Sequence, residues 1–178
     1  AIGTVAGVAM AGLTARFSLA RELLLPLAIG ASAVPIIAFA PLMNNWFGVL
    51  NPLSKMAIVA VLVFFPVVVN VTRGLTQVEP AALELMRSYA ASDTNVLWKV
   101  RVPNALPYFF TALKVGTTLS LIGAIVGEYF GGSSEVLGRV IVQSASALRF
   151  DVTWAAIIVG AVTGIVLYLA IAAIERVV

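Results

Sequence analysis

The sequence contains no cysteine and no histidine, and only 11% of its 178 residues are charged. Without cysteine the chain forms neither disulfide bonds nor thiolate metal sites, and without histidine it lacks the commonest acid–base side chain near neutral pH. Soluble domains carry about 25% charged residues, so the low charge content argues against a soluble protein. The motifs GxxxxGK[ST], HExxH and GxSxG are also missing. Their absence argues against nucleotide binding by a phosphate loop and against a zinc or serine hydrolase.

The chain is instead rich in long apolar runs, and hydrophobic residues make up 61% of it. Because these runs are continuous and do not alternate with polar residues, they predict membrane-spanning helices. We expect an all-α, polytopic transmembrane bundle with spans over residues 23–44, 53–72, 105–130 and 152–174. Residues 1–14 are apolar but too short to span alone, since about 20 residues are needed. They predict the second half of a further span, and the chain, which begins without Met, leaves open that an N-terminal helix precedes it.

The connections between the spans are predicted from polar and helix-breaking residues. Three prolines fall in the first full span, which should therefore be kinked or broken: Pro26, Pro35 and Pro41. A polar connector containing Arg16, Arg21 and Glu22 precedes this span, and residues 44–48 predict an interfacial turn after it. Residues 135–148 predict a helix that lies at the far surface or is re-entrant.

Residues 77–107, called the charged loop below, differ from the rest of the chain. They hold about a third of the 11 basic and 8 acidic side chains: Glu79, Glu84, Arg87, Asp93, Lys99 and Arg101. Long apolar segments flank the loop on both sides. Burying such charges in lipid costs several kcal/mol each, at about 2.5–3.5 kcal/mol on insertion scales, so the loop should lie in water at one face of the membrane.

The charged loop has a predicted structure of its own. Pro80 suits the first position of a helix, on which Glu84 and Arg87 form a pair at i,i+3. Ser92 or Asp93 then caps a second short helix over residues 94–100, whose apolar side includes Val96 and Leu97. Pro103 and Pro107 are expected to bracket the return to the membrane. The alternative is an ordinary amphipathic loop that rests on lipid headgroups.

The basic residues predict the orientation of the chain in the membrane. Alternating spans place seven of them on the side of the charged loop and three on the other, with Lys114 inside a span. Basic residues are enriched in cytoplasmic loops, so the charged loop should be cytoplasmic. Asn95 and Val178 are then expected on the cytoplasmic side, and Ser54 and Ser134 on the outside.

The charged loop resembles the "EAA" loop of ABC importer permeases. The likeness rests on Glu84-Leu-Met-Arg-Ser-Tyr-Ala90-Ala91-Ser92, Leu97, Lys99-Val100 and Val102-Pro103. Glu84 matches the family's Glu, Ala91-Ser92 match the residues after its Gly, and Pro103 and Pro107 match its prolines. The sequence departs from that pattern at five positions: Leu85 and Met86 replace alanines, Ala90 the Gly, Leu97 the Phe and Val102 the Leu. Pro35, Pro41-Leu42 and Trp46-Phe47-Gly48 resemble the subgroup that handles nitrate, sulfonates, taurine and vitamin precursors.

This resemblance implies a type I, methionine-importer-like fold and a permease domain over residues 1–178. It implies the transmembrane subunit of a bacterial inner-membrane importer that takes a small nutrient from a periplasmic or lipid-anchored binding protein. ATP and Mg²⁺ would bind to partner ATPase subunits, so this chain would need no cofactor and would not be an enzyme. A second permease subunit, in a homodimer, would complete the pathway. The implied ATPase contact comprises Glu84, Arg87, Ala90, Ala91, Ser92, Val96, Leu97 and Pro103.

Two charged residues within the predicted spans have alternative interpretations. Glu128 is the acid furthest inside an apolar segment, and such residues are functional candidates, so Glu128 and Tyr129 are possible pathway or gate residues. The stretch from Gly127 to Gly132 also resembles the permease subgroup. Alternatively, Glu128 is a hydrated end residue or pairs with Arg139 or Arg149. Lys114 is interpreted as snorkelling to the headgroups rather than binding substrate.

Two other functional classes remain open from the sequence. An ion-coupled secondary transporter would show acids or broken helices in two matching halves, and the chain shows one intramembrane acid and no repeat. A membrane scaffold without transport activity is the other alternative. The sequence does not identify the transported substrate among oxyanions, sulfonates and pyrimidine- or flavin-type vitamin precursors.

Overall fold

A computed structural model describes residues 1–177, and this part of the chain is built from helices joined by short connections. It contains no β-strand within those residues, which confirms the all-α prediction. The helices are α1 (Ile2–Arg16), α2 (Ser18–Ser32), α3 (Ile36–Phe47), α4 (Pro52–Thr76), α5 (Pro80–Ser88), α6 (Asp93–Val96), α7 (Val102–Phe130), α8 (Leu137–Ser146) and α9 (Phe150–Glu175). A π-helical turn, Leu97–Arg101, joins α6 to α7. The predicted position of Val178 lies outside the described residues.

Three helical segments are long and apolar enough to cross a membrane: α4, α9 and the continuous segment Asp93–Phe130. A fourth crossing is possible if α2 and α3 count as one span, and the two helices meet at an angle of 91°. The predicted break therefore occurs, and it falls at Pro35, whose extended backbone precedes α3. Pro26 and Pro41 lie inside helices. The spans predicted over residues 53–72 and 152–174 match α4 and α9, with boundaries that shift by a few residues. The span predicted over residues 105–130 begins earlier, because its helical segment is continuous from Asp93.

Two predicted connectors are shorter than the sequence suggested. Phe17 alone, with an extended backbone, separates α1 from α2, so Arg21 and Glu22 belong to a helix and not to a polar connector. Residues 44–47 are likewise helical, and the turn begins at Gly48, whose φ of 93° suits glycine. Asn51 then caps α4 by accepting a hydrogen bond from the Leu53 amide at 3.0 Å.

The charged loop does not end in a second, separate helix as predicted. Ser92 caps α6, but the chain then continues through the π-helical turn into α7 without leaving helical geometry. The Val102 amide bonds to the Leu97 carbonyl, five residues earlier. This wider turn gives room for Pro103, whose ring would otherwise collide with the carbonyl four residues before it. Pro103 and Pro107 consequently both lie within α7, and no break in the helix marks the return to the membrane.

Helix α4 lies at the centre of the fold and packs against α1, α2, α3 and α7. The larger buried cluster comes from α1, α4 and α7: Ala11, Val63, Val67, Val71, Leu75, Ala105 and Ala112. Thr14 and Thr72 join α1 to α4 through a buried hydroxyl pair 2.7 Å apart. Because lipid cannot satisfy polar groups, this pair satisfies each hydroxyl within the protein.

Contacts between helices show which residues share an end of the molecule. At one end, the last turns of α1 and α4 meet at Thr14 and Thr72, and Lys114 of α7 contacts Glu175 of α9. The charged loop belongs to this end, through Asn104 and Gly74. At the other end, Asn44 contacts Gly127, and Glu128 contacts Gly138. Successive spans therefore run in alternating directions between these two ends, as the count of basic residues on each side of the membrane assumes.

Candidate functional site

The turn at Ala90-Ala91-Ser92 ends α5 with a left-handed residue. Ala90 has φ of 50°, and its amide bonds to the Arg87 carbonyl at 2.9 Å, while the Ala91 amide bonds to the Met86 carbonyl at 3.0 Å. These two bonds define a Schellman motif, in which the residue at the position of Ala90 is usually glycine. Ala90 stands where the EAA pattern has its glycine. The sharp turn is therefore made without glycine, at a cost in backbone strain.

The outward surface of the charged loop is apolar and aromatic beside this turn. Tyr89 is 75% exposed, Trp98 is 65% exposed and Leu85 is 55% exposed. Val96 and Leu97, which the sequence predicts to supply the apolar contact, are instead half-buried and line an open cavity. Leu97 also packs against the buried cluster of α1, α4 and α7. The large side chains available to a partner on this surface are thus Leu85, Tyr89 and Trp98.

The predicted ion pair between Glu84 and Arg87 is not formed. Within residues 1–177 the only ion pair with nitrogen and oxygen within 4.0 Å is that of Lys114 and Glu175. Both Glu84 and Arg87 are exposed on α5. An exposed pair at this spacing is worth only about 0.3–0.5 kcal/mol, which is little to offset the loss of side-chain freedom. The loop is held by its backbone turn and not by this pair.

Side chains near the start of α7 connect the charged loop to α4. Asn104 donates from its Nδ2 to the Gly74 carbonyl at 2.7 Å and to the Gln77 carbonyl at 3.1 Å. Arg101 donates to the Leu75 carbonyl at 3.4 Å. These bonds satisfy carbonyls at the end of α4 that have no partner within the helix. A Cβ at Gly74 would lie 2.7 Å from the Cα of Ala105, so only glycine allows the two backbones to come this close.

Glu128 lies at the opposite end of α7 and caps the neighbouring helix. Its Oε2 accepts a hydrogen bond from the Gly138 amide at 3.0 Å, in the first turn of α8. A carboxylate is stabilised at this position by the positive end of the helix dipole. The expected alternative of an ion pair with Arg139 or Arg149 is not found among the described residues. A Cβ at position 138 would lie 2.6 Å from that of Glu128, so this contact also requires glycine.

Two other polar side chains lie at the same end as Glu128. Asn44 is buried and donates to the Gly127 carbonyl at 3.5 Å, while its Oδ1 has no partner in the described structure. The Nε of Arg139 is likewise buried without a hydrogen-bond partner among residues 1–177. Tyr129, the second candidate pathway residue, is 46% exposed and packs edge-on against Phe130.

Lys114 pairs with an acid at the end of α9. Its Nζ lies 2.7 Å from Oε2 of Glu175, and the two side chains are 18% and 29% exposed. The pair holds the first half of α7 to the end of α9. Sequence reasoning missed it because the partners are 61 residues apart. Sequence reasoning also missed the role of Asn104. A polar residue between two prolines at the start of a span is a signal that could have pointed to it.

Comparison with known proteins identifies the family. Residues 3–178 match the sequence profile of the binding-protein-dependent transport system inner membrane component. The chain belongs to this family. Its members have the type I ABC permease fold, in agreement with the helical architecture described above, and the family is one of multi-pass inner-membrane proteins.

Individual relatives support the same assignment. The chain is 34% identical over 148 residues to a probable ABC transporter permease protein of Haemophilus influenzae, covering 83% of this chain and 60% of the relative. It is 32% identical to the formylaminopyrimidine transport permease protein ThiX of Halalkalibacterium halodurans, covering 85% of this chain and 60% of the relative. It is 31% identical to the taurine transport system permease protein TauC of Escherichia coli, covering 80% of this chain and 51% of the relative. The chain thus spans between half and 60% of the length of these relatives.

Proposed function

We propose that this chain is the transmembrane permease subunit of an ATP-driven importer, and that the charged loop docks on an ATPase subunit in the cytoplasm. The observation that carries the proposal is the Schellman turn at Ala90-Ala91-Ser92. It presents small residues at an exposed corner, so the backbone of a partner can come close to it. Tyr89 and Trp98 lie beside the corner and are mostly exposed. Aromatic side chains next to a closely packed centre are typical of the residues that dominate binding energy.

The connection of this surface to the membrane supports a mechanical role. The corner is followed by a helical segment that runs without a break from Asp93 to Phe130. Asn104 and Arg101 attach the same segment to the end of α4. A displacement of the docked loop is therefore passed to α4 and α7 together. Closure of the ATPases on ATP would move these helices as rigid bodies and open the pathway outward.

The remaining parts of the proposal concern partners and cargo. ATP and Mg²⁺ would bind to the ATPase subunits, and this chain would carry out no hydrolysis itself. Two copies of the chain would enclose the pathway, and a periplasmic or lipid-anchored binding protein would deliver the substrate. The names of the relatives include transport of formylaminopyrimidine, taurine, riboflavin, aliphatic sulfonates and nitrate. We therefore propose an oxyanion, a sulfonate or a vitamin precursor of the pyrimidine or flavin type as the cargo.

A pair of substitutions tests the docking. Ala91 is half-buried in the turn, and its replacement by tryptophan would force a large side chain between the loop and its partner. We expect Ala91→Trp to weaken ATPase association by roughly tenfold or more, since loss of a central contact costs about 2 kcal/mol. Co-purification of the ATPase and ATP-dependent uptake in vesicles measure the effect. Arg87→Ala should change both by less than about twofold, because the exposed side chain has no ion-pair partner within residues 1–177.

Ala91→Ser is the matched control, because it keeps a small side chain in the turn and should behave as wild type. Membrane insertion of all three variants is checked by their abundance in the membrane fraction. Normal uptake and normal ATPase binding by Ala91→Trp would show that the charged loop is a surface feature that does not dock.

A further inference from the structure

A cavity of about 700 Å³ lies at the end of the molecule that carries the charged loop. It is bounded by the ends of α1 and α4, by α6 and by the π-helical turn. Its wall includes the polar and aromatic side chains of Arg16, Phe17, Asp93, Thr94 and Arg101. The docking surface formed by Tyr89 and Trp98 does not contribute to this cavity. The cavity is therefore a separate feature of the loop.

The floor of the cavity is closed by the transmembrane core. Leu75 lines the cavity and belongs to the buried cluster of α1, α4 and α7. Ala15 and Leu97 line it as well, and both pack against that cluster. The cavity is consequently a pocket that opens at the surface of the protein where α1 ends, at the boundary between the apolar helices and water. It is not a passage for a solute between the helices of this subunit.

The charges in the cavity favour an anion. Two arginines, Arg16 and Arg101, and one acid, Asp93, line the cavity, and none of the three forms an ion pair in the described part of the chain. Arg101 uses one N–H for the Leu75 carbonyl, and the Arg16 guanidinium carbon lies 5.8 Å from the centre of the Phe17 ring. Both groups retain N–H donors, and the planar guanidinium matches a phosphate through paired hydrogen bonds.

We propose that this cavity binds the phosphate headgroup of an anionic phospholipid between Arg16 and Arg101. The apolar part of its wall, which includes Phe17, Leu75 and Leu97, suits the glycerol and the first carbons of the acyl chains. Basic pockets between helices at the cytoplasmic side of a membrane recognise such headgroups. A lipid bound here contacts α1, α4 and the charged loop together, and so it ties the loop to the bundle. The inference rests on the cytoplasmic placement of the charged loop but not on transport.

The assembled transporter, reconstituted in nanodiscs of phosphatidylcholine with increasing phosphatidylglycerol, provides the test. The measured quantity is the phosphatidylglycerol retained per subunit after extraction into detergent, determined by native mass spectrometry. We expect Arg16→Gln and Arg101→Gln each to weaken retention by roughly fivefold, since each basic group near an anionic lipid surface contributes a factor of about that size. Asp93→Asn should strengthen retention, because it removes a negative charge from the cavity wall. Damage to folding would not produce this opposite effect.

Two control variants and a competition with inorganic phosphate decide the interpretation. Arg73→Gln removes an exposed arginine at the same end that does not line the cavity, and it should leave retention unchanged. Arg101→Lys keeps the positive charge and should retain more lipid than Arg101→Gln. Retention equal to wild type in both glutamine variants would overturn the proposal. Displacement of the lipid by inorganic phosphate alone would also overturn it, since the site would then serve a free anion.

Discussion

Ala90 is strained because the charged loop needs a sharp turn at a position that lacks glycine. A left-handed backbone costs a residue with a side chain about 1–2 kcal/mol. The structure holds Ala90 at φ of 50° through the two Schellman hydrogen bonds, and Leu148 adopts φ of 56° in the same way after α8. Non-glycine residues in this region are retained where the surrounding contacts determine the backbone, often at functional sites.

Replacement of Ala90 by glycine should therefore stabilise the turn. Glycine relieves the left-handed strain but has a more flexible unfolded state, so the net gain is about 1 kcal/mol. The Ala91 amide, which bonds to the Met86 carbonyl, should then exchange with deuterium roughly fivefold more slowly in native-state hydrogen exchange. Ala82→Gly is the control, because it places glycine inside α5 and should destabilise the helix by about 1 kcal/mol. Faster exchange in Ala90→Gly would show that the alanine is not strained.

Glu128 has a structural contact that bears on its candidate role in the pathway. Its carboxylate caps α8, and the negative charge at this position contributes about 0.3–1 kcal/mol. Glu128→Gln keeps an oxygen for the Gly138 amide but removes the charge. We expect this variant to assemble and to alter substrate uptake or basal ATP hydrolysis, because it changes the electrostatics at this end of the bundle and loosens α8 against α7. Both activities are measured in vesicles.

Glu135→Gln serves as the control, since Glu135 is an exposed acid in the connection before α8. It should leave both activities at the wild-type level. Unchanged uptake by Glu128→Gln over a range of substrate concentrations would restrict Glu128 to a role in capping.

At the scale of elements, the important feature is the continuous helical segment from the charged loop into the membrane. The π-helical turn Leu97–Arg101 accommodates Pro103 and allows 38 residues, Asp93–Phe130, to form one segment. Asn104 and Gly74 fasten this segment to α4 over a short distance between backbones. The part of the loop from Asp93 onward is consequently one continuous helical segment with α7, and Asn104 ties the start of α7 to α4.

Loss of the Asn104 side chain should uncouple the loop from α4. Asn104→Ala removes one part-buried hydrogen bond to the Gly74 carbonyl and one exposed hydrogen bond to the Gln77 carbonyl, and loss of a typical hydrogen bond costs about 0.5–1.5 kcal/mol. We expect ATPase binding to persist, because the docking surface is intact, while substrate uptake per ATP hydrolysed falls. Parallel assays of hydrolysis and uptake in proteoliposomes measure this ratio. Asn45→Ala, at an exposed asparagine of the opposite end, should leave the ratio unchanged.

At the scale of the whole molecule, the fold has two distinct ends joined by α4, α7 and α9. The end with the charged loop contains the Thr14–Thr72, Asn104–Gly74 and Lys114–Glu175 contacts. The other end contains the Asn44–Gly127 and Glu128–Gly138 contacts. The basic residues predict that the first end faces the cytoplasm.

Single-cysteine labelling tests this orientation, because the chain has no native cysteine. We expect Asn95→Cys to be protected from an impermeant reagent added outside intact cells, and Ser134→Cys to be labelled. Ser54, which was predicted to face outward, is fully buried and unsuitable for labelling. Leu50, at 73% exposure in the turn before α4, takes its place. Strong outside labelling of Asn95→Cys would reverse the orientation and exclude docking to a cytoplasmic ATPase.

Local patterns in the sequence predicted a large part of the fold. The apolar runs predicted the spans, Pro80 predicted the start of α5, and the prolines predicted the break between α2 and α3. These features depend on residues close together in the chain, where backbone preference and helix length act directly. The resemblance of the charged loop to the EAA pattern gave the family, which the comparison confirmed.

The contacts that define the candidate site depended on residues far apart in the chain. The capping of α4 by Asn104, the Lys114–Glu175 pair and the cap of α8 by Glu128 arise only when helices pack side by side. The inward orientation of Leu97 was decided by the neighbouring buried cluster, because the local pattern shows an apolar face but not what covers it. Hydrophobicity along the chain thus determined which segments enter the membrane, whereas packing between helices decided how each polar group is satisfied where water is absent.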